Sequence, residues 1–175
     1  DLYIGIYKLC RKKWQKMFEI KKNFLEKDEV NTMVKILTSY TFPWYFYDTT
    51  AYEKDKSNFL FSHVLFENNK INSNHFESIL IPILNKLKLK KIIRAKLNFY
   101  TKREKQIKTQ YHTDFKDNHT VALFSFNTNN GYTDFKNGKK IKSTKNQLGI
   151  FSGSLQHRSV NQTDKKYRIN LNINF

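Results

Sequence analysis

At 175 residues, 39% hydrophobic and 15% aromatic, the chain has the length of one domain with a real core and is too apolar for disorder. Five Gly, two Pro and a single cysteine, Cys10, exclude a linker-rich or repeat architecture, an internal disulfide and a cysteine-based zinc site. The formal net charge of +17 fits either an acidic partner or a lysine-rich surface, and the lysines run from Lys8 to Lys166 rather than lying in one stripe.

The chain opens on "DLYIGIYKLC", which lacks the basic start and small-residue cleavage site of a signal peptide. No apolar run approaches the ~18 residues of a membrane span. With one cysteine, these features predict a reducing, cytoplasmic setting and no membrane partner. Residues 1–22 mix bulky apolar and basic side chains and read as a helix. From Asp28 the pattern sharpens: Val30, Met33, Val34 and Leu37 fall at helical spacing, an amphipathic helix. Pro43 breaks it, and the aromatic run "TFPWYFYD" reads as an extended segment plugging a core. "FLFSHVLFEN" is strand-like and ends in the turn-prone "NNKINSN". Asn74 and Glu77 have capping-box spacing. Phe76, Ile79, Leu80, Ile83, Leu84 and Leu87 then form a second helical stripe, which Pro82 should kink or restart. Residues 1–91 are therefore expected to be a helical support segment.

From Ile92 the character changes. "IIRAKLNFY", "TVALFSFN", "QLGIFSG", "HRSV" and "YRINLNINF" are short segments of strand composition. Asn-Asn-Gly at 129–131 and Asn-Gly at 137–138 separate some of them, the latter a strong hairpin signal. Helices first and short antiparallel strands later predict a mainly β sandwich, jelly roll or barrel, with its core in residues 92–175 and an N-terminal helical layer.

Within this half, "QYHTDF" sets His112 and Asp114 one residue apart. In a strand or turn, residues i and i+2 project to one face, so both can face one ion. A third ligand must come from elsewhere. His157 in "SLQHRSV" is the best candidate, because it starts a strand in the same half. Two histidines and a carboxylate form a facial triad that leaves three positions open on octahedral Fe(II). The other histidines fit less well. His63 reads as a satisfied core or edge residue and His75 as solvated at a helix start. His119 has no justifiable ligand spacing from Asp114. Eleven residues after His157 comes Arg168, on a final strand expected to run beside that of His157. Pointing inward, its guanidinium could hold a carboxylate through two parallel hydrogen bonds. Asn170, Asn172 and Asn174 share its face; Ile169, Leu171, Ile173 and Phe175 form the opposite, apolar one. Ser125 is a further candidate to line the cavity.

His112-x-Asp114, His157 and then Arg168 resemble the Fe(II)- and 2-oxoglutarate-dependent dioxygenases, over roughly residues 92–175. "NNGYTDF" resembles a hairpin of the prolyl-hydroxylase-like branch, with Asn130 where that hairpin has its first Gly and Tyr132 interposed before Thr133. "LGIFSGSLQH" resembles the segment that brings the distal histidine into the site. Asn98-x-Tyr100, with Arg168-x-Asn170, resembles the cosubstrate pocket of the nucleic-acid alkyl demethylases of the same superfamily; those enzymes carry a second arginine where this chain has Asn174. The resemblance implies a double-stranded β-helix, Fe(II) on His112, Asp114 and His157, and 2-oxoglutarate held by Arg168, Tyr100, Asn98 and Asn170. O₂ is then the oxidant, and a hydroxylated product forms with succinate and CO₂. A protein side chain, proline first, is the expected substrate, ahead of a nucleic-acid base. A non-catalytic cupin-like or zinc-holding module is the alternative from another class.

Overall fold

The apolar–polar alternation of the C-terminal half becomes two antiparallel sheets. In the computed structural model, which describes residues 18–49 and 58–175, the strands are β1 (Phe18–Lys22), β2 (Tyr45–Tyr47), β3 (Leu60–Glu67), β4 (Lys70–Ile71), β5 (Arg94–Thr101), β6 (Thr120–Ser125), β7 (Tyr132–Phe135), β8 (Lys140–Lys142), β9 (Gln147–Ser152), β10 (His157–Val160) and β11 (Tyr167–Asn174). Eight of them make one sheet in the order β1-β9-β6-β11-β5-β3-β2, with β4 paired to β3; β10, β7 and β8 make a second. Neighbours such as β11 and β6 or β1 and β9 are distant in sequence, which is the jelly-roll connectivity. Hairpins follow local chemistry. Asn68 and Asn69 both take positive φ, 54° and 58°, in the two-residue turn from β3 to β4. Gly138, at φ 86°, turns β7 into β8.

One face of the large sheet packs on helices α1 (Lys27–Leu37) and α2 (Ile81–Leu87), the latter entered through a π-helical turn, Phe76–Leu80. Val30, Met33 and Leu37 of α1 and Ile83 of α2 meet Ala95, Leu97, Ala122, Phe124, Ile169, Leu171 and Ile173 of the sheet, all buried. Each Val, Leu, Ile, Met or Phe among them contributes about 1.5–3 kcal/mol by leaving water. A smaller core of Val121, Leu123, Phe135, Ile141 and Phe151 fills part of the space between the two sheets. Pro82 sits in the first turn of α2, where its missing N–H removes no helical bond, so the segment restarts there.

Several expectations are corrected. Residues 18–22 are strand β1, not helix, because Phe18 turns into the core between the sheets while the chain pairs with β9; residues 1–17 of that expected helix, Cys10 among them, lie outside the described residues. The segment 1–91 is not purely helical: β1 to β4 join the large sheet, and the pairing of β3 with β5 crosses the 91/92 boundary. Asn74 caps nothing; the Oγ of Ser73 accepts the His75 N–H at 3.0 Å, whereas α1 carries a capping box at Glu26 and Glu29 that the sequence reading passed over. In "TFPWYFYD" Phe42 is buried and packs on Trp44, while Tyr45, Phe46 and Tyr47 form an exposed edge strand. The last strand does not run beside that of His157. It lies between β5 and β6 in the large sheet, and β10 belongs to the other. Strand composition carries no information on which distant segments pair.

Candidate metal and cosubstrate site

The two sheets face each other across a cavity of about 60 Å³, lined among others by His112, Asp114 and His157 at one end and Arg168 and Tyr100 at the other. His112 and His157 are brought together by backbone. The His112 N–H donates to the His157 carbonyl and the His157 N–H to the His112 carbonyl, both at 2.9 Å. Such a reciprocal antiparallel pair puts two side chains on one face. Both rings present Nδ1 to a backbone carbonyl, that of Gln110 at 3.3 Å and that of Leu155 at 3.0 Å. Nδ1 of each ring is thereby placed to donate, which leaves Nε2 facing Asp114.

Asp114 is oriented just as firmly. Its Oδ2 accepts the side-chain amides of Asn172 at 3.0 Å and Asn174 at 2.8 Å. Its Oδ1 lies 3.8 Å from Nε2 of His112, 3.9 Å from Nε2 of His157 and 3.7 Å from the Arg94 guanidinium. Burial pushes the carboxyl pKa up, but His157, the two amides and Arg94 outweigh it and hold it at about 2. Burial, followed by His157, pushes the His112 imidazole below its ordinary value. A carboxylate and a neutral imidazole are the protonation states a metal requires. The three ligand atoms lie within 4.8 Å of one another, so one ion can reach all three, and nitrogen, nitrogen, oxygen is the donor set of non-haem iron.

Arg168 sits at the far end with only 2% of its surface exposed. It donates to Ser159 Oγ at 2.8 Å, the Val160 carbonyl at 3.1 Å and Thr133 Oγ1 at 3.4 Å, and its Cζ lies 5.0 Å from the centre of the Tyr100 ring. Its Nε has no hydrogen-bond partner, and among the described residues no carboxylate pairs with it. A buried guanidinium with neutral neighbours and an orphan N–H fits the distal carboxylate of a dicarboxylic acid. Gly131 makes room for this arrangement: a Cβ there would lie 3.0 Å from the Val160 carbonyl and 3.1 Å from Arg168 Cδ.

Every metal and cosubstrate residue expected from the sequence lines this cavity: His112, Asp114, His157, Arg168, Tyr100, Asn98 and Asn170. Asn98 donates to Asn170 Oδ1 at 3.0 Å across paired strands. Ser125 is not in the lining. His63 is satisfied by Pro43 and Ser73, at 2.7 and 2.6 Å. His75 packs its ring on Phe42 and is only half-buried, rather than solvated. His119 packs on Phe115 and is not part of the group whose ligand atoms cluster. The sequence reading missed Ser159, two residues after His157 and so on its face, and Lys96, two residues before Asn98; period-2 spacing was the signal for both. Burial pushes the Lys96 ammonium below its ordinary pKa and Arg94 acts in the same direction, outweighing the opposing pull of Asp114 and Glu67.

No protein-family model and no curated protein matches the chain. Solved structures do. A prolyl-4-hydroxylase from Pseudomonas putida superposes with a TM-score of 0.59 at 12% identity, over 90% of this chain and 91% of that one. An oxidoreductase of the 2OG-Fe(II) oxygenase family from Burkholderia pseudomallei gives 0.64 at 11%, over 90% and 84%. A prolyl hydroxylase from Trichoplax adhaerens, solved with a hypoxia inducible factor oxygen degradation domain peptide fragment, gives 0.60 at 11%, over 89% and 82%. The chain therefore has the jelly-roll fold of the 2OG-Fe(II) oxygenases, with a His-Asp-His group placed to hold a metal inside it.

Proposed function

We propose that the protein is an Fe(II)- and 2-oxoglutarate-dependent dioxygenase that hydroxylates a protein side chain, proline first. The observation that carries this reading is the pairing of two sites in one cavity: a metal-ready triad at one end and an anion-hungry buried Arg168 at the other. A structural metal site has no use for the second. His112 and His157 would bind iron through Nε2 and Asp114 through Oδ1. Arg168 would take the far carboxylate of 2-oxoglutarate, the Tyr100 ring would wall its chain, and the Asn98–Asn170 pair would hold the floor between the ends. What Fe(II) and 2-oxoglutarate supply there is oxidation of a C–H bond to C–OH by O₂, with release of succinate and CO₂. Peptide as substrate is supported by the shared fold of two prolyl hydroxylases, one of them solved with a peptide. A nucleic-acid base as substrate loses support at Asn174, whose amide is committed to Asp114.

The test is anaerobic addition of 2-oxoglutarate to the Fe(II)-loaded protein, then succinate formation with peptide and oligonucleotide pools. A visible metal-to-ligand absorption band and peptide-stimulated succinate are expected. Absence of the band removes the oxygenase reading. Stimulation by methylated oligonucleotides alone removes the peptide.

A further inference from the structure

Lys96 is a cation of the cavity wall that the metal and cosubstrate roles do not use. Alternation along β5 puts it on the face of Asn98 and Tyr100, and it lines the same cavity. Its partner on β11 is Asn172, whose amide holds Asp114, so Lys96 stands at the triad end; Tyr100, paired with Arg168, stands at the other. Among the described residues no carboxylate lies within ion-pair distance of its ammonium; Asp114 and Glu67 act on it only from further off and do not offset burial and Arg94.

Charge balance says what is missing. A divalent ion, the Asp114 carboxylate, the Arg168 guanidinium and a 2-oxoglutarate dianion together carry no net charge. The Lys96 ammonium is then left over, half-buried at the triad end of the cavity. Such a charge is costly unless an anion joins it. Arg94 does not share this need, since it faces Glu67 and Asp114 and lies 4.7 Å over the Phe115 ring.

We propose that Lys96 reads a carboxylate on the primary substrate, so that the substrate is a peptide segment with an acidic residue at or next to the residue oxidised. The inference rests on the 2-oxoglutarate reading above. The net charge of +17 is compatible with an acidic partner at long range. Lys96 would be a specificity-determining residue, acting on the substrate before any bond changes.

The experiment uses Zn(II)-loaded protein saturated with 2-oxoglutarate, which binds without turning over. Proline-containing peptides with Asp, Asn or Lys beside the proline are titrated by fluorescence anisotropy, and 2-oxoglutarate affinity is measured separately by calorimetry. Asp peptides should bind about tenfold more tightly than their Asn counterparts. Lys96→Met should erase that preference and Lys96→Glu should transfer it to the Lys peptides. Both variants should keep wild-type 2-oxoglutarate affinity, which also shows that they are folded. The inference is overturned if the preference survives in Lys96→Met, if no peptide binds, or if a phosphodiester oligonucleotide outcompetes every acidic peptide. Loss of 2-oxoglutarate affinity in Lys96→Met also overturns it, because the ammonium would then serve the cosubstrate. A wild-type protein with no affinity for 2-oxoglutarate fails at the earlier reading; normal affinity without a Lys96-dependent preference fails here alone.

Discussion

The two ends of the cavity handle charge in opposite ways. At the triad end Asp114 is already matched: two asparagine amides hold Oδ2 and Arg94 approaches Oδ1, so the ligand set keeps its geometry by itself. At the other end Arg168 is buried among hydroxyls, a carbonyl and an aromatic ring, with an unpartnered Nε and no anion among the described residues. The first end is preorganised and the second is in deficit. An end that is preorganised gains affinity because little must move on binding. An end in deficit gains it because binding relieves a desolvated charge. Metal and cosubstrate should therefore respond to different residues, and the two affinities should come apart under mutation.

The largest effect expected is at the triad. Asp114→Ala removes the only charged ligand and leaves two amides without an acceptor; metal affinity should fall by more than the ~10–100-fold typical of losing a supporting residue. Iron-dependent turnover should vanish, as measured by succinate formation, and wild-type turnover in this variant would sink the assignment. Next is Arg168→Ala. Removing one side of a buried charged pair costs about 3–5 kcal/mol, or roughly two to four decades of 2-oxoglutarate affinity. Metal binding should stay near normal, and Arg168→Lys should fall between, because charge survives but the fork does not. Unchanged cosubstrate affinity in Arg168→Ala would mean that the deficit is not the carboxylate site.

Alternate faces of β11 sharpen the same contrast. Leu171 is fully buried in the core against the helices, while its neighbours Asn170 and Asn172 face the cavity. Leu171→Ala should cost about 2–5 kcal/mol in chemical denaturation with cosubstrate affinity retained in the folded protein. Asn174→Ala should weigh the other way: a smaller loss in unfolding, about 1.5–3 kcal/mol for a buried hydrogen bond to a carboxylate, and a loss of metal affinity of about 10–100-fold, read by competition with a metal-binding dye. Equal losses in both assays for either variant would show that fold and site are coupled along this strand.

How much of this could be read from sequence follows from the same strand. "YRINLNINF" displays its two faces through period-2 alternation, and the structure keeps them: Ile169, Leu171 and Ile173 in the core, Arg168, Asn170 and Asn172 in the cavity. The triad was legible because His112-x-Asp114 is a local spacing and His157 a strand start. The helical stripe through Val30, Met33 and Leu37 was legible for the same reason. Pairing was not. Whether β11 lies next to β10 or between β5 and β6 depends on which distant hydrophobic faces fit, and no short window contains that information. The same gap hid β1, whose five residues gain strand character from β9 more than a hundred positions away. The supporting roles of Asn172 and Asn174 were also hidden. Alternation gives their face, but only the fold gives their acceptor, Asp114.

The smallest effect expected is one of protons, and it tests whether the triad end is a ligand set or an ion pair. Burial and the neighbouring His157 push the His112 pKa down, and the Asp114 carboxylate pulls it back up without prevailing. A histidine whose folded-state pKa is depressed favours folding fully above its unfolded value of ~6.5, and the contribution is lost as pH falls through the lowered value. Asp114 behaves likewise one step further into acid: its contribution is complete above an unfolded value of ~3.9 and is lost only as pH falls through about 2. In the metal-free protein, the ring resonances of His112 should therefore titrate with a midpoint below ~6.5, while Asp114 is still ionised. Asp114→Asn should lower that midpoint further, since it removes the one carboxylate that favours the imidazolium, and Zn(II) should abolish the titration by taking the Nε2 lone pair. A midpoint above the ordinary histidine value would reverse the picture. The Asp114 charge would then dominate, the triad would rest as an imidazolium–carboxylate pair, and a metal would have to displace a proton to enter; the contrast between a preorganised end and an end in deficit would go with it.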